Sequence, residues 1–269
     1  MEFSITTDAY DINQPIEERF RHFSAAGFTR VHWSEHWISD FLYTEAYMHH
    51  VARLAERCHL SVSSVHGVCR IGAHGRLTEE HWHELNVNRI EFVSMLGGDC
   101  IVIHLPLDQH EKQFGPERDQ SQRLIDRLLP VARNHGVQIA IENLETRPCR
   151  QLFDHLFGLY SPEDLGFCFD SGHAYIRGDL DLLDRYLDRL IMTHLHDNHG
   201  TDDEHLVPGQ GTMEWEPIME TLRKGPDLTC LNLEVVWHGA MPKGEWCREA
   251  YQSIASLWPQ RHRRSARPE

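Results

Sequence analysis

The chain has 269 residues, of which 41% are hydrophobic, and a formal net charge of −15 from 26 basic and 41 acidic residues. This composition supplies a full hydrophobic core and excludes a disordered chain, while the acidic balance disfavours avid binding to a nucleic-acid backbone unless a local basic groove exists. No apolar run reaches 18 residues, the seven cysteines form no C-x-x-C pair, and residues 1–6 lack the features of a signal peptide, so we expect a cytoplasmic protein without a membrane span.

Eight short apolar runs alternate with eight longer amphipathic stretches along the chain. The runs are rich in Val, Ile, Phe or Cys, as buried parallel strands are, and the stretches have apolar residues three and four apart, as helices do. The predicted elements in chain order are strand 3–6, helix 16–26, strand 30–33, helix 41–58, strand 60–66, helix 79–96, strand 100–105, helix 116–134, strand 138–143, a weaker helix 151–165 interrupted by Pro162, strand 166–170, helix 179–190, strand 191–196, helix 213–223, strand 231–237 and helix 245–257.

This alternation predicts a single (β/α)8 TIM barrel of the α/β class over residues 1–258. We expect the basic tail, 259–269, to be disordered and solvated. A doubly wound parallel sheet is the alternative, but it gives no reason for eight repeated units. A dinucleotide site is not supported, because no G-x-G-x-x-G follows the first strand.

Residues 194–211 are unusually rich in polar side chains for a segment that follows a buried strand. Four His and three Asp occur within residues 194–205. Burying so many polar groups without partners would be costly. A divalent metal ion is the simplest partner for several imidazoles and carboxylates at once.

The other predicted strands also end in side chains that can bind a metal. In a barrel of this type the chemistry lies at the carboxyl ends of the strands. These ends carry His66, His104, Glu142, Asp170 and Glu234 in chain order. Each alone has an ordinary explanation, such as a hydrogen-bonded core histidine or an ion pair. Together, several converging carboxylates repel one another unless a cation lies between them.

These motifs resemble those of the xylose isomerase-like superfamily, which also contains endonuclease IV. The motifs are His-Gly at 66–67, I-H-L-P at 103–106, I-E-N at 141–143, D-x-G-H at 170–173, H-L-x-D at 194–197 and L-x-L-E at 231–234. The resemblance covers nearly the whole chain and looks closest to the sugar (phosphate) isomerase/epimerase branch. It implies a principal metal site made by Glu142, Asp170, His194 and Glu234. The endonuclease IV motifs further imply ligands for additional metals at His66, His104, His173, Asp203 and His205.

One choice within the 194–211 segment stays open. His194 and His196 are two residues apart on a strand, so both point to the same face. The superfamily pattern favours His194 as the ligand of the principal metal. His196 would then support a ligand from outside the coordination sphere or face a substrate. Asp197 would then orient a ligand imidazole.

Further substrate-binding candidates lie outside the ligand motifs. His173 and His196 would face a bound sugar. Trp33 and Glu35, with Trp37 in the same segment after the second strand, would line a sugar pocket, although ordinary loop packing is the alternative. Arg147 would bind a carboxylate or phosphate, unless it forms a surface ion pair.

The resemblance implies a divalent-metal-dependent isomerase or epimerase of a sugar or sugar phosphate. Glu142 and Glu234 would transfer a proton next to a carbonyl through a metal-stabilised enediolate, and a dehydratase is a close variant. The alternative is an endonuclease IV-like multi-metal phosphodiesterase, which the nine ligand positions favour and the net charge of −15 opposes. A non-catalytic metal-binding module is the third reading.

The expected cofactor is one to three divalent ions per chain. Carboxylate-rich ligands suit Mn²⁺, while the histidines around them suit Zn²⁺. The expected partner is a small sugar or polyol rather than nucleic acid or a membrane, and a homo-oligomer stays open.

Overall fold

Eight parallel strands form one sheet that curves into a barrel. The computed structural model describes residues 1–10, 14–69, 71–72, 75–105, 114–145, 149–239 and 241–259. The strands are β1 Glu2–Thr6, β2 Arg30–Trp33, β3 Ser61–His66, β4 Ile71–Gly72, β5 Gly75–Arg76, β6 Cys100–Ile103, β7 Gln138–Glu142, β8 Leu165–Asp170, β9 Leu190–His194 and β10 Cys230–Leu233. The order in the main sheet is β10-β1-β2-β3-β6-β7-β8-β9, so the predicted (β/α)8 barrel is confirmed.

The barrel closes between β9 and β10 at the end that carries the candidate site. Leu195 forms a parallel bridge with Leu233 just beyond β9. The amide of Leu195 donates to the Asn232 carbonyl at 2.9 Å, and the amide of Glu234 donates to the Leu195 carbonyl at 3.1 Å. Glu234 is therefore held in register with the end of β9. A small antiparallel hairpin, β4 with β5, interrupts the connection that follows β3.

Helices pack around the outside of the sheet. They are α1 Ile16–Ala26, α2 Glu45–Arg57, α3 Glu79–Met95, α4 Phe114–His135, α5 Arg150–Leu159, α6 Ser171–Arg177, α7 Leu182–Arg185, α8 Trp215–Leu222 and α9 Lys243–Leu257. The helix predicted to begin at residue 41 begins at 45, because the Thr44 side chain accepts the Tyr47 amide and caps it. Among the described residues, no helix has the length and apolar character needed to cross a bilayer.

The main hydrophobic core lies between the sheet and the helices. Fully buried rings such as Phe20, Trp33 and Phe92 fill this layer. Inside the barrel the side chains are smaller, and Cys100, Val102, Ala140, Cys168 and Met192 form a separate apolar cluster. Side chains alternate along a strand, so the residue two positions after Val102, Ala140, Cys168 or Met192 also points into the barrel. Each of these following residues lies nearer the mouth of the barrel.

The predicted domain limits are only partly covered by the structure. The barrel extends from β1 to α9, which ends at Leu257. Of the predicted basic tail, 259–269, residues 260–269 lie outside the described part of the chain. The tail therefore stays a prediction.

Candidate metal centre

Glu142, at the end of β7, lies at the centre of a buried cluster of imidazoles. Its carboxylate oxygen Oε2 is 3.1 Å from Nε2 of His104, 3.1 Å from Nδ1 of His194 and 3.8 Å from Nε2 of His66. Nδ1 of His194 is also 3.0 Å from Oε2 of Glu234, which follows β10. Five strand ends thus bring their predicted ligands to one place.

A second group of ligand atoms lies beside the first. Oδ2 of Asp203 is 3.4 Å from Nε2 of His173 and 3.0 Å from Nε2 of His205. Oδ1 of Asp170 is 3.1 Å from Nε2 of His196 and 3.5 Å from Nδ1 of His173. The contacts therefore pair Asp170 with His196, while His194 pairs with the two glutamates.

The two groups are joined through one carboxylate. Oε1 of Glu142 is 3.4 Å from Nδ1 of His173, while its Oε2 faces the first group. All nine positions that the sequence motifs predicted as ligands consequently lie within one continuous cluster. We call it the mouth cluster, and it consists of His66, His104, Glu142, Asp170, His173, His194, Asp203, His205 and Glu234.

Backbone carbonyls fix the orientation of several of these imidazoles. A carbonyl only accepts, so the ring nitrogen beside it carries the hydrogen, and the other nitrogen is left to act as a ligand. These bonds run from Nδ1 of His66 to the Gly67 carbonyl at 2.7 Å, from His173 to Asn143 at 2.9 Å, and from His205 to Glu234 at 2.8 Å. Nδ1 of His104 lies 3.1 Å from the thiol of Cys69 instead. In all four rings Nε2 faces the carboxylates.

The spacing of the ligand atoms fits metal ions better than direct ion pairs. A charge-assisted N–H···O bond is about 2.7–2.9 Å long, whereas two tetrahedral ligands about 2.1 Å from one ion are about 3.4 Å apart. The separations in the mouth cluster run from 3.0 to 3.8 Å. Three buried atoms, Nε2 of His104, Oε2 of Glu142 and Nδ1 of His194, lack a partner with hydrogen-bond geometry. The donor set and its geometry therefore fit divalent cations.

The electrostatics of the cluster point the same way. Burial alone would raise the pKa of Glu142, but His194 and His104 beside it hold that pKa well below its usual range. Burial would lower the pKa of His205, but Asp203 and Glu234 raise it to about 10. Glu142 is thus ionised and His205 is protonated, and a dication can replace that proton.

The candidates after β2 are placed differently from the prediction. The predicted role of Trp33 in a sugar pocket is wrong. Its ring is fully buried against the outer helices, and its Nε1 donates to the Tyr43 hydroxyl at 2.9 Å. A side chain without exposed surface does not line a pocket. Glu35 is also buried, in an ion pair with Arg19 at 2.5 Å rather than in the mouth cluster. Arg147 lies outside the described residues.

Trp37 is the aromatic side chain of this segment that does reach the cluster. Its ring centroid is 5.3 Å from that of His66 and 6.1 Å from that of His104. Alternation along β2 explains the difference, because His32 points into the barrel and Trp33 away from it. The loop then returns Trp37 over the mouth.

Asp197 organises the segment after β9 instead of orienting an imidazole. Its Oδ2 accepts hydrogen bonds from the Gly209 amide at 2.8 Å and from Nε1 of Trp215 at 2.9 Å, and its Oδ1 accepts from the Met213 amide at 3.2 Å. A Cβ added to Gly211 would lie 2.3 Å from Oδ1. The prediction for Asp197 is therefore wrong: its carboxylate binds the backbone of the segment that follows His205, and the indole of Trp215.

Three polar residues near the cluster were not predicted. Asp8, after β1, accepts hydrogen bonds from the Thr6 and Ser34 hydroxyls at 2.6 Å. His32 lies inside the barrel with its ring centroid 4.8 Å from that of His194. Oε2 of Glu145 lies 3.4 Å from Nε2 of His173. The sequence signal for each is a single polar residue in a strand or loop, which is too common to stand out.

A parallel eight-stranded barrel with a histidine and carboxylate cluster at its carboxyl end is the class of protein that this fold and site define. Within that class, the chain belongs to the xylose isomerase-like TIM barrel family, which matches residues 20–257. The uncharacterised protein y4fM of Sinorhizobium fredii is 30% identical over 242 residues, which are 78% of this chain and 77% of that protein. Inosose dehydratase of Lacticaseibacillus casei is 27% identical over 130 residues, covering 39% of this chain and 44% of the dehydratase.

Solved structures with a similar fold include several sugar epimerases. D-psicose 3-epimerase from Clostridium cellulolyticum H10 has a TM-score of 0.76 at 14% identity, covering 96% of this chain and 98% of the epimerase. A D-tagatose 3-epimerase-like protein has a TM-score of 0.74 at 18% identity, covering 95% and 98%. The 3-keto-D-glucoside 4-epimerase YcjR from E. coli has a TM-score of 0.68 at 19% identity, covering 96% and 99%. At these identities the likeness establishes the fold alone.

Proposed function

We propose that this protein is a divalent-metal-dependent isomerase or epimerase of a sugar or sugar phosphate, with dehydration of a keto-polyol as a close variant. The observation that carries the proposal is the pair of carboxylates around His194: Oε2 of Glu142 lies 3.1 Å and Oε2 of Glu234 lies 3.0 Å from its Nδ1. The relative named inosose dehydratase supports this reaction class, and solved structures named as epimerases share the fold.

The reaction needs both a base and stabilisation of negative charge. A C–H bond next to a carbonyl is a weak acid, and its removal leaves an enediolate. Glu142, Asp170, His194 and Glu234 would hold the principal metal ion, which supplies positive charge to the developing oxyanion when bound. Positioned proton transfer adds about 10²–10⁴-fold to the rate.

The exposure of the two glutamates assigns them different parts. The side chain of Glu234 is 14% exposed and that of Glu142 is 1% exposed, so Glu234 is the one that reaches a substrate from the mouth. Burial would raise the pKa of Glu234, but His194 holds that pKa below its usual range, so Glu234 is ionised and begins as the proton acceptor.

The return of the proton involves Glu142 and its neighbours. Glu142 is also ionised, so it must first take a proton in order to give one to the opposite face of the substrate carbon. Nε2 of His104, 3.1 Å from Oε2 of Glu142, would supply it when that nitrogen carries a proton and no metal ion. His104 would thus serve either the proton path or the ligand set, but not both at once.

A second candidate function is a multi-metal phosphodiesterase similar to endonuclease IV. The observation that favours it is that all nine positions matching that enzyme's ligand motifs lie in the mouth cluster. The net charge of −15 and the acidic run Asp202-Asp203-Glu204 oppose it, because both repel a phosphate backbone.

Deuterium exchange separates the two candidates. Metal-loaded protein is incubated in D₂O with ketoses, aldoses, their phosphates and a keto-inositol, and incorporation next to the carbonyl is followed by NMR. We expect exchange on at least one sugar and a loss of about 10²-fold or more in Glu234→Gln. The matched control is Glu80→Gln, whose side chain is 80% exposed. Undiminished exchange in Glu234→Gln, or incision of abasic DNA without exchange on any sugar, would contradict the proposal.

A further inference from the structure

Glu145 faces the mouth cluster from the loop that follows β7. Its Oε2 lies 3.4 Å from Nε2 of His173, and Oδ2 of Asp203 lies 3.4 Å from the same nitrogen. No motif in the sequence marks Glu145 as a ligand. Two carboxylates from different loops therefore converge on one imidazole nitrogen.

The ring of His173 is fixed in this direction. The side chain is 6% exposed, and Nδ1 donates to the Asn143 carbonyl at 2.9 Å, so Nε2 is the nitrogen that faces both carboxylates. The ring of His205 is fixed in a similar way, since its Nδ1 donates to the Glu234 carbonyl and its Nε2 is 3.0 Å from Oδ2 of Asp203.

The two equal distances fit a metal site better than a direct ion pair. A charged imidazole that bonds directly to a carboxylate approaches to about 2.7–2.9 Å. Both carboxylates stay at 3.4 Å from Nε2 of His173, which is the edge of a tetrahedron of ligands about 2.1 Å from one ion. Two neutral imidazoles and two carboxylates also balance the charge of a dication.

We propose that Glu145 is the fourth protein ligand of a divalent ion held by His173, Asp203 and His205. This inference rests on the metal dependence in the proposed function. Four protein ligands arranged as a tetrahedron leave this ion no open position, so it is structural. The principal ion, with three carboxylates and one histidine, suits a higher coordination number that leaves room for a substrate oxygen. The structural ion ties the loop after β7, the start of α6 and the segment after β9 together, and it leaves the substrate to the centre at Glu142 and Glu234.

Metal counting on matched variants tests this assignment. Glu145→Gln keeps the size of the side chain and removes its charge. Glu204→Gln is the control, because Glu204 neighbours Asp203 in the chain while its carboxylate bonds to His199 at 2.7 Å outside the mouth cluster. Asp203→Asn is the positive reference. Each full-length protein is stripped with chelator, reloaded with Zn²⁺ or Co²⁺ and freed of excess ion, and its metals are counted by elemental analysis.

We expect Glu145→Gln to weaken one ion by at least about tenfold in chelator competition, as Asp203→Asn does, and to leave the ion at Glu142 and Glu234 in place. With Co²⁺, the intense visible band of a four-coordinate ion should be lost in Glu145→Gln and kept in Glu204→Gln. Binding and spectra of Glu145→Gln equal to those of Glu204→Gln would overturn the proposal, as would a wild-type protein that binds a single ion.

The same samples separate this inference from the proposed function. Sugar deuterium exchange reports on Glu234, whereas the Co²⁺ band reports on the four-coordinate ion. Absence of exchange with a normal Co²⁺ band contradicts the function and leaves the ligand assignment standing. Circular dichroism of each metal-free variant checks that Glu145, whose side chain is 33% exposed, is not needed for folding.

Discussion

Glu142→Gln tests whether one carboxylate carries the charge balance of the mouth cluster. The change keeps the side-chain shape and removes a charge that lies 3.1 Å from both His104 and His194. At an effective dielectric constant of about 20, two unit charges at this distance attract by about 5 kcal/mol. Burial offsets part of this attraction, and removing one partner of a buried pair costs about 3–5 kcal/mol. For a chain of this size that cost corresponds to a fall in Tm of about 6–20 °C.

The pH dependence of this loss follows from the imidazoles. Burial would lower the pKa of His104, but Cys69 and Glu142 raise it well above its usual value, and Cys168 with the glutamates raises that of His194. A histidine whose pKa is higher in the folded state than in the unfolded state stabilises the fold at pH values below the unfolded pKa of about 6.5. This stabilisation is lost as the pH rises through the pKa of the folded state. The gap in Tm between wild type and Glu142→Gln should therefore be widest near pH 6 and shrink towards pH 10.

Thermal unfolding of chelator-treated protein measures this gap. Wild type, Glu142→Gln and Glu80→Gln are melted between pH 6 and pH 10 and followed by circular dichroism. Glu80 forms an exposed pair with Arg127 at 3.7 Å, so its variant should lose no more than about 1 kcal/mol. A Glu142→Gln protein that melts within about 2 °C of wild type at pH 6, or a gap that widens with pH, would refute the reasoning.

Three further predictions concern the ligands and their supports. Because the pKa of His205 is about 10, this imidazole is protonated at pH 7 and must release its proton to bind a metal. The apparent affinity for the metal should therefore rise with pH, and the calorimetric heat of metal binding should depend on the ionisation enthalpy of the buffer. Cys69→Ala should weaken metal binding at His104 by about 10–100-fold and Cys69→Ser by less, because the thiol lies 3.1 Å from Nδ1 of that ring; chelator competition measures both. Gly211→Ala should cost about 1–3 kcal/mol in chemical denaturation, since its Cβ would lie 2.3 Å from a carboxylate oxygen, whereas Gly158→Ala meets no atom within 4 Å in α5 and should be neutral or slightly stabilising.

The strands could be predicted from the sequence because each is a short apolar run between polar segments, and all eight predicted strands are present. The segment after β8 could not be predicted in the same way. There Oδ1 of Asp170 accepts a hydrogen bond from the His173 amide at 2.7 Å and caps the start of α6. Gly172 in the first turn makes this helix hard to predict from the sequence. The helix predicted over 179–190 is divided into α7 and a 3-10 turn at Leu187–Arg189.

The ligand positions could be predicted because the topology of the fold determines where they meet. Carboxyl ends of neighbouring parallel strands lie side by side, so residues far apart in sequence become neighbours at the mouth. Loop residues have no such constraint. The direction of Trp33 follows from alternation along β2, whereas the approach of Trp37 to the cluster depends on the path of the loop after β2, and that of Glu145 on the path of the loop after β7. Neither path is encoded in a local pattern.

Accessibility within the cluster bears on the choice of reaction class. The side chains of Glu234 and His104 are 14% and 19% exposed, whereas those of His194 and Asp170 are fully buried. A phosphodiesterase with several ions needs each of them to present an open position to the same phosphate. If Glu145 fills the last position of one ion, that ion cannot take part, and the two-glutamate proton transfer at the exposed side of the mouth is left as the chemistry that the remaining open centre can perform.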